Sequence, residues 1–255
     1  MTYKSCYDNI FRDEITTKGA KNKMKVLVII PAYNEEECIE NTVKNLKKIN
    51  PRVDYVIIND CSKDSTKAVC EKNQFNVINL PINLGIGGAV QTGYKFAYEN
   101  DYDVAIQMDA DGQHDPKYID AMVKEIENGN DLVIGSRFIR KEGFQSTWIR
   151  RLGINLYSNL IKLFTKKVIK DTTSGYRAAS KKVIKLFSNS YPVDYPEPET
   201  DALIAKNNFK VKEIPMEMKE REGGASSITP IKSIYYAIKV GLAVVLACIV
   251  KEKEV

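Results

Sequence analysis

Val26-Leu-Val-Ile-Ile-Pro31-Ala-Tyr-Asn-Glu-Glu36 is the stretch on which the reading of this chain turns. Five branched apolar residues in a row, with no polar alternation, describe a strand buried on both faces. Pro31 ends the run because it has no N–H to give to a ladder. From Glu35 to Lys48, Ile39, Val43 and Leu46 recur on one side and predict a helix. Upstream, residues 1–24 are polar, mixed in charge and without the apolar run of a secretory signal. They are expected to form a flexible N-terminal arm.

Downstream the alternation repeats. Strands are predicted at Tyr55–Ile58, Val77–Leu80, Val104–Met108 and Leu132–Ile134. Helices are predicted from Ser62 or Asp64 to Glu71, from Gly85 to Tyr98 and from Tyr118 to Ile126. Strand and helix in turn, joined by short loops, predict an α/β sheet wound with right-handed crossovers. Ligands of such sheets lie beyond the carboxyl ends of the strands.

Composition restricts the chemistry. The 255 residues include one histidine and five cysteines. A multi-histidine zinc site is impossible, and a histidine-based triad could use only His114. The cysteines contain no CxxC, so reduced thiols in a cytosolic setting are expected. Charge is uneven: residues 1–130 carry a net of −4 and residues 131–255 a net of +9. Within 137–185, 13 basic residues face only Glu142 and Asp171. That pattern is either a solvated face or an attraction for phosphate on a substrate or an anionic membrane. Nucleic acid is a poor fit, because the basic stretch holds few stacking aromatics beyond Trp148 and Tyr157.

Three predicted strand ends carry acids: Tyr33-Asn-Glu35 after the first, Asp60 and Asp64 after the second, and Asp109-Ala-Asp111-Gly-Gln113-His114-Asp115 after the fourth. Asp64 and Asp115 read as helix caps. Asp109 and Asp111, two residues apart in a tight turn, bring their oxygens within reach of one hard cation, with Gln113 and His114 nearby. Mg²⁺ and Mn²⁺ take oxygen ligands and share them with substrate phosphates. Gly85-Ile-Gly-Gly88 lacks the lysine of a P-loop and Val90 breaks a GxGxxG pattern. Close backbone approach at a helix start is expected there instead.

These blocks, in this order, resemble family 2 glycosyltransferases of the GT-A fold. The closest likeness is to polyprenyl-phosphate sugar transferases such as dolichol-phosphate mannose synthase. VIIPAYNEE (28–36), NDCSKDST (59–66), NLGIGGAVQTG (83–93), MDADGQHDP (108–116), GSR (135–137), DTTSGYRA (171–178) and ERxGGxSSI (220–228) carry it. The resemblance implies a GT-A domain over 25–228 with a single Rossmann-like mixed sheet flanked by helices. It implies that Pro31, Tyr33, Glu35 and Asp60 hold the donor nucleotide, and that Asp109, Asp111 and Gln113 hold Mg²⁺ or Mn²⁺. Gly88, Arg137, Ser174 and Arg177 fall at donor-binding blocks, and Arg221 would face the leaving diphosphate. An acidic active-site residue falls at Glu199, or at Glu197 if a short gap intervenes. The implied reaction is metal-dependent, inverting transfer of a sugar from a nucleotide sugar to a lipid-linked or cell-envelope saccharide acceptor. Its rivals are a nucleotide-sugar-binding protein without turnover and a nucleotidylyltransferase, whose glycine-rich loop is replaced here by PAYNEE.

Two segments point to a surface. Ile149, Leu152, Leu156, Leu160 and Leu163 recur at helical spacing, flanked by Arg150, Arg151, Lys162, Lys166 and Lys167. The second, within 229–255, is apolar from Ile234 to Val250 but interrupted by Lys239, short of the roughly 20 residues that span a bilayer. The expectation is an interfacial or oligomer-forming C-terminal helix. With the basic second half, it predicts peripheral attachment to the anionic inner face of the cell membrane.

Overall fold

The computed structural model describes residues 24–140, 148–194, 196–219 and 230–249. Most of the expected arm, and Arg221, lie outside the described residues. Seven strands form one mixed sheet: β1 (Val26–Ala32), β2 (Asp54–Asn59), β3 (Val77–Asn79), β4 (Val104–Gln107), β5 (Leu132–Ser136), β6 (Arg177–Ser180) and β7 (Val211–Pro215). Their order is β3-β2-β1-β4-β6-β5-β7. β1 runs parallel to β2 and β4, and β5 parallel to β7. β6 lies antiparallel between β4 and β5 and makes the sheet mixed.

The run 26–30 is buried on both faces, as its composition requires. Val28 and Ile30 face one core with Ile39, Val43 and Leu46 of α1 (Ile39–Ile49) and Ile119 and Met122 of α4 (Ile119–Glu127). Leu27 and Ile29 face the other, with Val90 and Tyr94 of α3 (Gly85–Glu99) and Val183 and Phe187 of α6 (Lys181–Asn189). Gly93 lets α3 approach β1, since a Cβ there would stand 2.2 Å from Ile29 Cγ2. Asp64 accepts from Thr66 N at 2.9 Å and starts α2 (Thr66–Lys72), and Asp115 accepts from Lys117 N at 3.0 Å. Asp115 caps the short turn Pro116–Tyr118 as its position suggests, whereas the N-cap of α2 is Ser65 and Asp64, one residue earlier, braces that start. α1 begins at Ile39, four residues later than its pattern implied, because residues 35–38 form a turn.

The second half adds α5 (Trp148–Thr165), α7 (Pro196–Lys206) and α8 (Pro230–Ile249). These three pack together around Tyr157, Ile161, Ala202, Ala205, Val240 and Val244. α7 is therefore enclosed, with Ala202 to Ala205 all buried. Among the described residues, no helix is long and apolar enough to cross a membrane.

Candidate active site

The strand ends deliver the carboxylates to one edge. β1 and β2 are parallel and in register to Ala32 and Asn59, so the segments Tyr33–Glu35 and Asp60 leave the sheet side by side. Asp60 is 3% exposed; its N–H donates to Ala32 O and its Oδ1 accepts from Leu84 N at 2.7 Å. It thus ties the end of β2 to the start of α3. Tyr33 is exposed and Pro31 is buried within β1. Ser62 Oγ and Thr66 Oγ1 accept from the N–H groups of Asn34 and Glu35 and fix that loop. A cleft beside it is lined by residues 34–38 with Lys63 and Asp64 and does not include the paired aspartates.

The turn after β4 is held from several sides. Thr42 Oγ1 donates to Ala110 O at 2.7 Å, Asp111 Oδ1 accepts from Gln113 N, and Gly112 takes φ +79°. Gln113 Nε2 donates to Lys219 O, while Lys219 N donates to Gln113 O. His114 is buried and stacks on Tyr176 with ring centroids 4.7 Å apart. Its Nδ1 accepts from Asp109 N at 3.0 Å, so Nε2 carries the proton, 3.8 Å from Asp109 Oδ2. Burial lowers its pKa to about 4, against the pull of Asp111. The single histidine is a neutral prop of the turn.

Opposite the turn stands the segment before β6. A Cβ on Gly175 would lie 3.2 and 3.3 Å from the two carboxylate oxygens of Asp109, so only glycine leaves that approach open. Ser174 Oγ, Thr172 Oγ1 and Ser136 Oγ are buried without a hydrogen-bond partner. Arg137 is clamped: its N–H and Nε donate to Asp171 Oδ2 and its Nη2 to Asp171 Oδ1 and Thr173 Oγ1. Asp171 is fully buried, and its N–H donates to Glu213 Oε1.

Arg177, near the end of its sequence block, lies inside the protein. It is 1% exposed within β6. Nε donates to Ser174 O at 2.6 Å, and Nη1 to Glu197 O, Thr200 Oγ1 and Asp201 Oδ1 at 3.1, 2.9 and 2.8 Å. The guanidinium is engaged inside the protein, where it joins the Ser174 segment to the start of α7. Burial pushes the Asp201 carboxyl up to about 8, with Arg177 opposing.

Glu197 and Glu199 are separated by α7 itself. Residues two apart on a helix point about 200° apart, so both cannot face one site. Burial raises the Glu197 carboxyl, Arg177 opposes and the charge of Asp109 adds to the rise. Burial also raises Glu199, but there Asp194 adds and Lys239 opposes. The charge of Asp109 thus acts on Glu197, and those of Asp194 and Lys239 act on Glu199. Gly175, Asp171 and Asp201 were not singled out in the sequence. Asp171 and Gly175 sit inside the DTTSGYRA block, and Asp201 ends the acidic run 197–201, which are the signals that would have flagged them.

Asp109 and Asp111 offer two carboxylates in one turn, and no group of three or more His, Cys, Asp or Glu among the described residues forms a metal cage. This donor set fits a hard cation that completes its shell with phosphate oxygens and water. The model of the glycosyl transferase family 2 domain matches residues 27–187. The chain belongs to that family. It is a glycosyltransferase, and its sheet carries the GT-A arrangement. Polyprenol monophosphomannose synthase of Mycolicibacterium smegmatis is 30% identical over 216 residues, covering 80% of this chain and 81% of that protein. UDP-N-acetylglucosamine–dolichyl-phosphate N-acetylglucosaminyltransferase of Methanococcus voltae is 33% identical, covering 75% and 84%. Glucosyl-3-phosphoglycerate synthase from Mycobacterium tuberculosis, solved with Mn²⁺, UDP-glucose and phosphoglyceric acid, superposes with a TM-score of 0.67 at 16% identity, covering 90% of this chain and 81% of that one. That last likeness is one of fold.

Proposed function

We propose that this family 2 glycosyltransferase moves a sugar, with inversion, from a nucleotide sugar to a lipid-linked acceptor of the polyprenyl-phosphate class. What supports the reading is the pair Asp109 and Asp111 in one turn just beyond β4, with Gly175 leaving the space beside Asp109 open. The named activities of the mycobacterial and methanococcal relatives support the acceptor class. A saccharide hydroxyl acceptor is the second reading, favoured by the proximity of Glu197.

Asp109 and Asp111 would hold Mg²⁺ or Mn²⁺, with Gln113 as a further oxygen donor. The cation supplies Lewis-acid neutralisation of the leaving diphosphate. Tyr33, Glu35 and Asp60 would receive the nucleoside at the neighbouring strand ends, and the Gly85–Gly88 backbone would approach it closely. Asp171 takes up much of the Arg137 charge, so Arg137 would orient the adjacent segment more than bind phosphate; Arg221 would add its charge after donor binding. Glu197 would position the acceptor oxygen in line with the leaving group. A phosphate acceptor arrives ionised and needs no base, whereas a hydroxyl acceptor would hand its proton to the Glu197 carboxylate. Ser174, beside Gly175, would meet a sugar hydroxyl with its buried, unpartnered oxygen. Attachment to the inner face of the membrane would bring enzyme and lipid acceptor together.

A panel of nucleoside diphosphates with Mn²⁺, followed by transfer assays with polyprenyl phosphate, tests this reading. Selective stabilisation by one base, and transfer lost in D111N, are expected. Full activity in D111N would overturn the metal role, and turnover on sugars but never on polyprenyl phosphate would overturn the acceptor.

A further inference from the structure

β4 carries one polar side chain into an apolar face of the core. Along Val104-Ala-Ile-Gln107, Val104 and Ile106 face the cluster of α1 and α4, so Ala105 and Gln107 turn to the opposite side, toward α3 and α6. That side holds Ile29, Val90, Tyr94, Phe187 and Tyr191. Gln107 is fully buried there. A buried amide is unfavourable unless its hydrogen bonds are made, and an aliphatic residue would serve packing better at this position. Only half of the amide is satisfied. Its Oε1 accepts from Tyr191 OH at 3.4 Å, whereas Nε2 is enclosed and closes no hydrogen bond of ordinary geometry. An orphaned donor of this kind calls for a reason.

The amide lies beneath the active-site edge. A Cβ on Gly175 would stand 3.1 Å from Gln107 Nε2 and 3.2 Å from Asp109 Oδ2, so amide and carboxylate converge on the bare Cα of that glycine. In the sheet Gln107 stands directly opposite Arg177 of β6. Directly opposed residues of antiparallel strands hold their side chains next to each other on one face. Arg177 Nη1 donates to Glu197 O at 3.1 Å, which brings the first turn of α7 to the same place. The other Arg177 donors go to Ser174 O, Thr200 Oγ1 and Asp201 and leave the Glu197 carboxyl to other groups. Burial raises that carboxyl; the charge of Arg177, its own backbone N–H and the Gln107 amide all favour its ionised form. Hydrogen bonds at a reaction centre are often long in the free enzyme and tighten when substrate binds.

The support behind the amide is rigid. The Tyr191 ring lies 5.5 Å from that of Tyr94, and Phe187 packs edge-on against both, at 5.0 Å from Tyr94 and 5.1 Å from Tyr191. Pro192, the next residue, rests its carbonyl on Gly87 of α3, where a Cβ would come within 2.2 Å of it. Tyr191 is thereby fixed, and by donating to Oε1 it decides which end of the Gln107 amide turns toward Gly175.

We propose that Gln107 is a positioning residue: its amide, held from behind by Tyr191, orients the Glu197 carboxylate toward the acceptor oxygen. The inference rests on the role given to Glu197 above. Nε2 is enclosed by protein, so it acts through Glu197 and does not touch substrate.

The test is steady-state transfer to polyprenyl phosphate by the full chain, with Mn²⁺ and the nucleotide sugar that the stabilisation panel selects. Q107M, Y191F, E197Q and Q107M/E197Q are compared with the parent. Methionine keeps the length of the side chain and removes its donor. Q107M should lower kcat at least about tenfold while the donor KM stays within about twofold, and Y191F should lower kcat less. In the E197Q background Q107M should cost nothing further, because the carboxylate it orients is gone. The thermal midpoint of Q107M should hold or rise, since an enclosed and unbonded donor has been removed. An equal loss of kcat from Q107M in both backgrounds would mark a packing role and overturn the proposal. Full kcat in Q107M beside an impaired E197Q would overturn it too, and would leave the role of Glu197 intact. Full activity in E197Q would overturn the role of Glu197 itself, and the present inference with it.

Discussion

Replacing Arg177 by methionine separates a strut from a substrate contact. Methionine keeps a long side chain in β6 but removes every donor of a group that is 1% exposed. Two carbonyls, Ser174 O and Glu197 O, lose that donor, and Asp201, fully buried, loses its counter-ion. A buried acceptor left unsatisfied costs about 1–3 kcal/mol. Breaking a buried ion pair from one side costs about 3–5 kcal/mol. The bonds share one guanidinium and do not add, so the expected loss is about 3–5 kcal/mol. With its carboxyl pushed up to about 8, Asp201 is largely protonated at neutral pH, so the lower end of that range is expected there and the full range above about pH 8. With a urea slope of about 3 kcal/mol per molar, the midpoint should fall by about 1–1.7 M. Transfer should fall as well, because Arg177 fixes both the Ser174 segment and the helix bearing Glu197. Nucleoside diphosphate binding should survive in the folded variant, since Asp60 and the Asp109–Asp111 turn are anchored by other bonds. A variant within about 0.5 kcal/mol of the parent that no longer binds nucleoside diphosphate would refute this reasoning. The guanidinium would then have to meet the donor, as the sequence block first implied.

G175A should weaken Mn²⁺-dependent donor binding by about tenfold, one pK-sized step of about 1.4 kcal/mol, because its Cβ presses on the Asp109 carboxylate; calorimetric titration that finds parental affinity would contradict the crowding. G93A should cost about 1–3 kcal/mol in urea unfolding through overpacking against Ile29, with no change in metal affinity beyond that of the folded fraction. Asp201 has its folded pKa raised above the unfolded value, so its contribution is complete below the unfolded pKa of 3.8 and is lost as pH rises through about 8. The stability advantage of the parent over D201N should therefore shrink between about pH 4 and 8. A gap that widens over that range would mean that the Asp201 carboxyl is held low instead. E197Q should reduce transfer far more than E199Q, and equal losses would place both carboxyls at the reaction centre.

The first half of the sheet was legible because each signal was local. The run 26–30 needs no partner to declare itself buried, and Asp60 and Asp109 follow their strands directly, where a wound sheet gathers its ligands. β6 was not legible. Arg177-Ala-Ala-Ser180 holds no β-branched or aromatic residue, and it is a strand because β4 and β5 leave a gap that it fills antiparallel to both. β7, Val211-Lys-Glu-Ile-Pro215, is an edge strand with Lys212 exposed and Ile214 buried, and its register comes from β5.

The site divides along the same line. Spacing alone placed Asp109 and Asp111 in one turn and limited the chemistry to carboxylates, since one histidine was available. It could not orient Glu197 against Glu199, because which side of α7 faces Asp109 depends on where α5 and α8 cover it. Nor could it tell a surface arginine from a strut. Arg137 and Arg177 read alike in sequence, but Asp171 and Asp201, 34 and 24 residues away, take up their charges. Local patterns determine the strands and the acids at their ends because those depend on neighbours a few residues away. The pairing of buried charges, and the side of each helix left apolar and open, are decided only when distant segments pack.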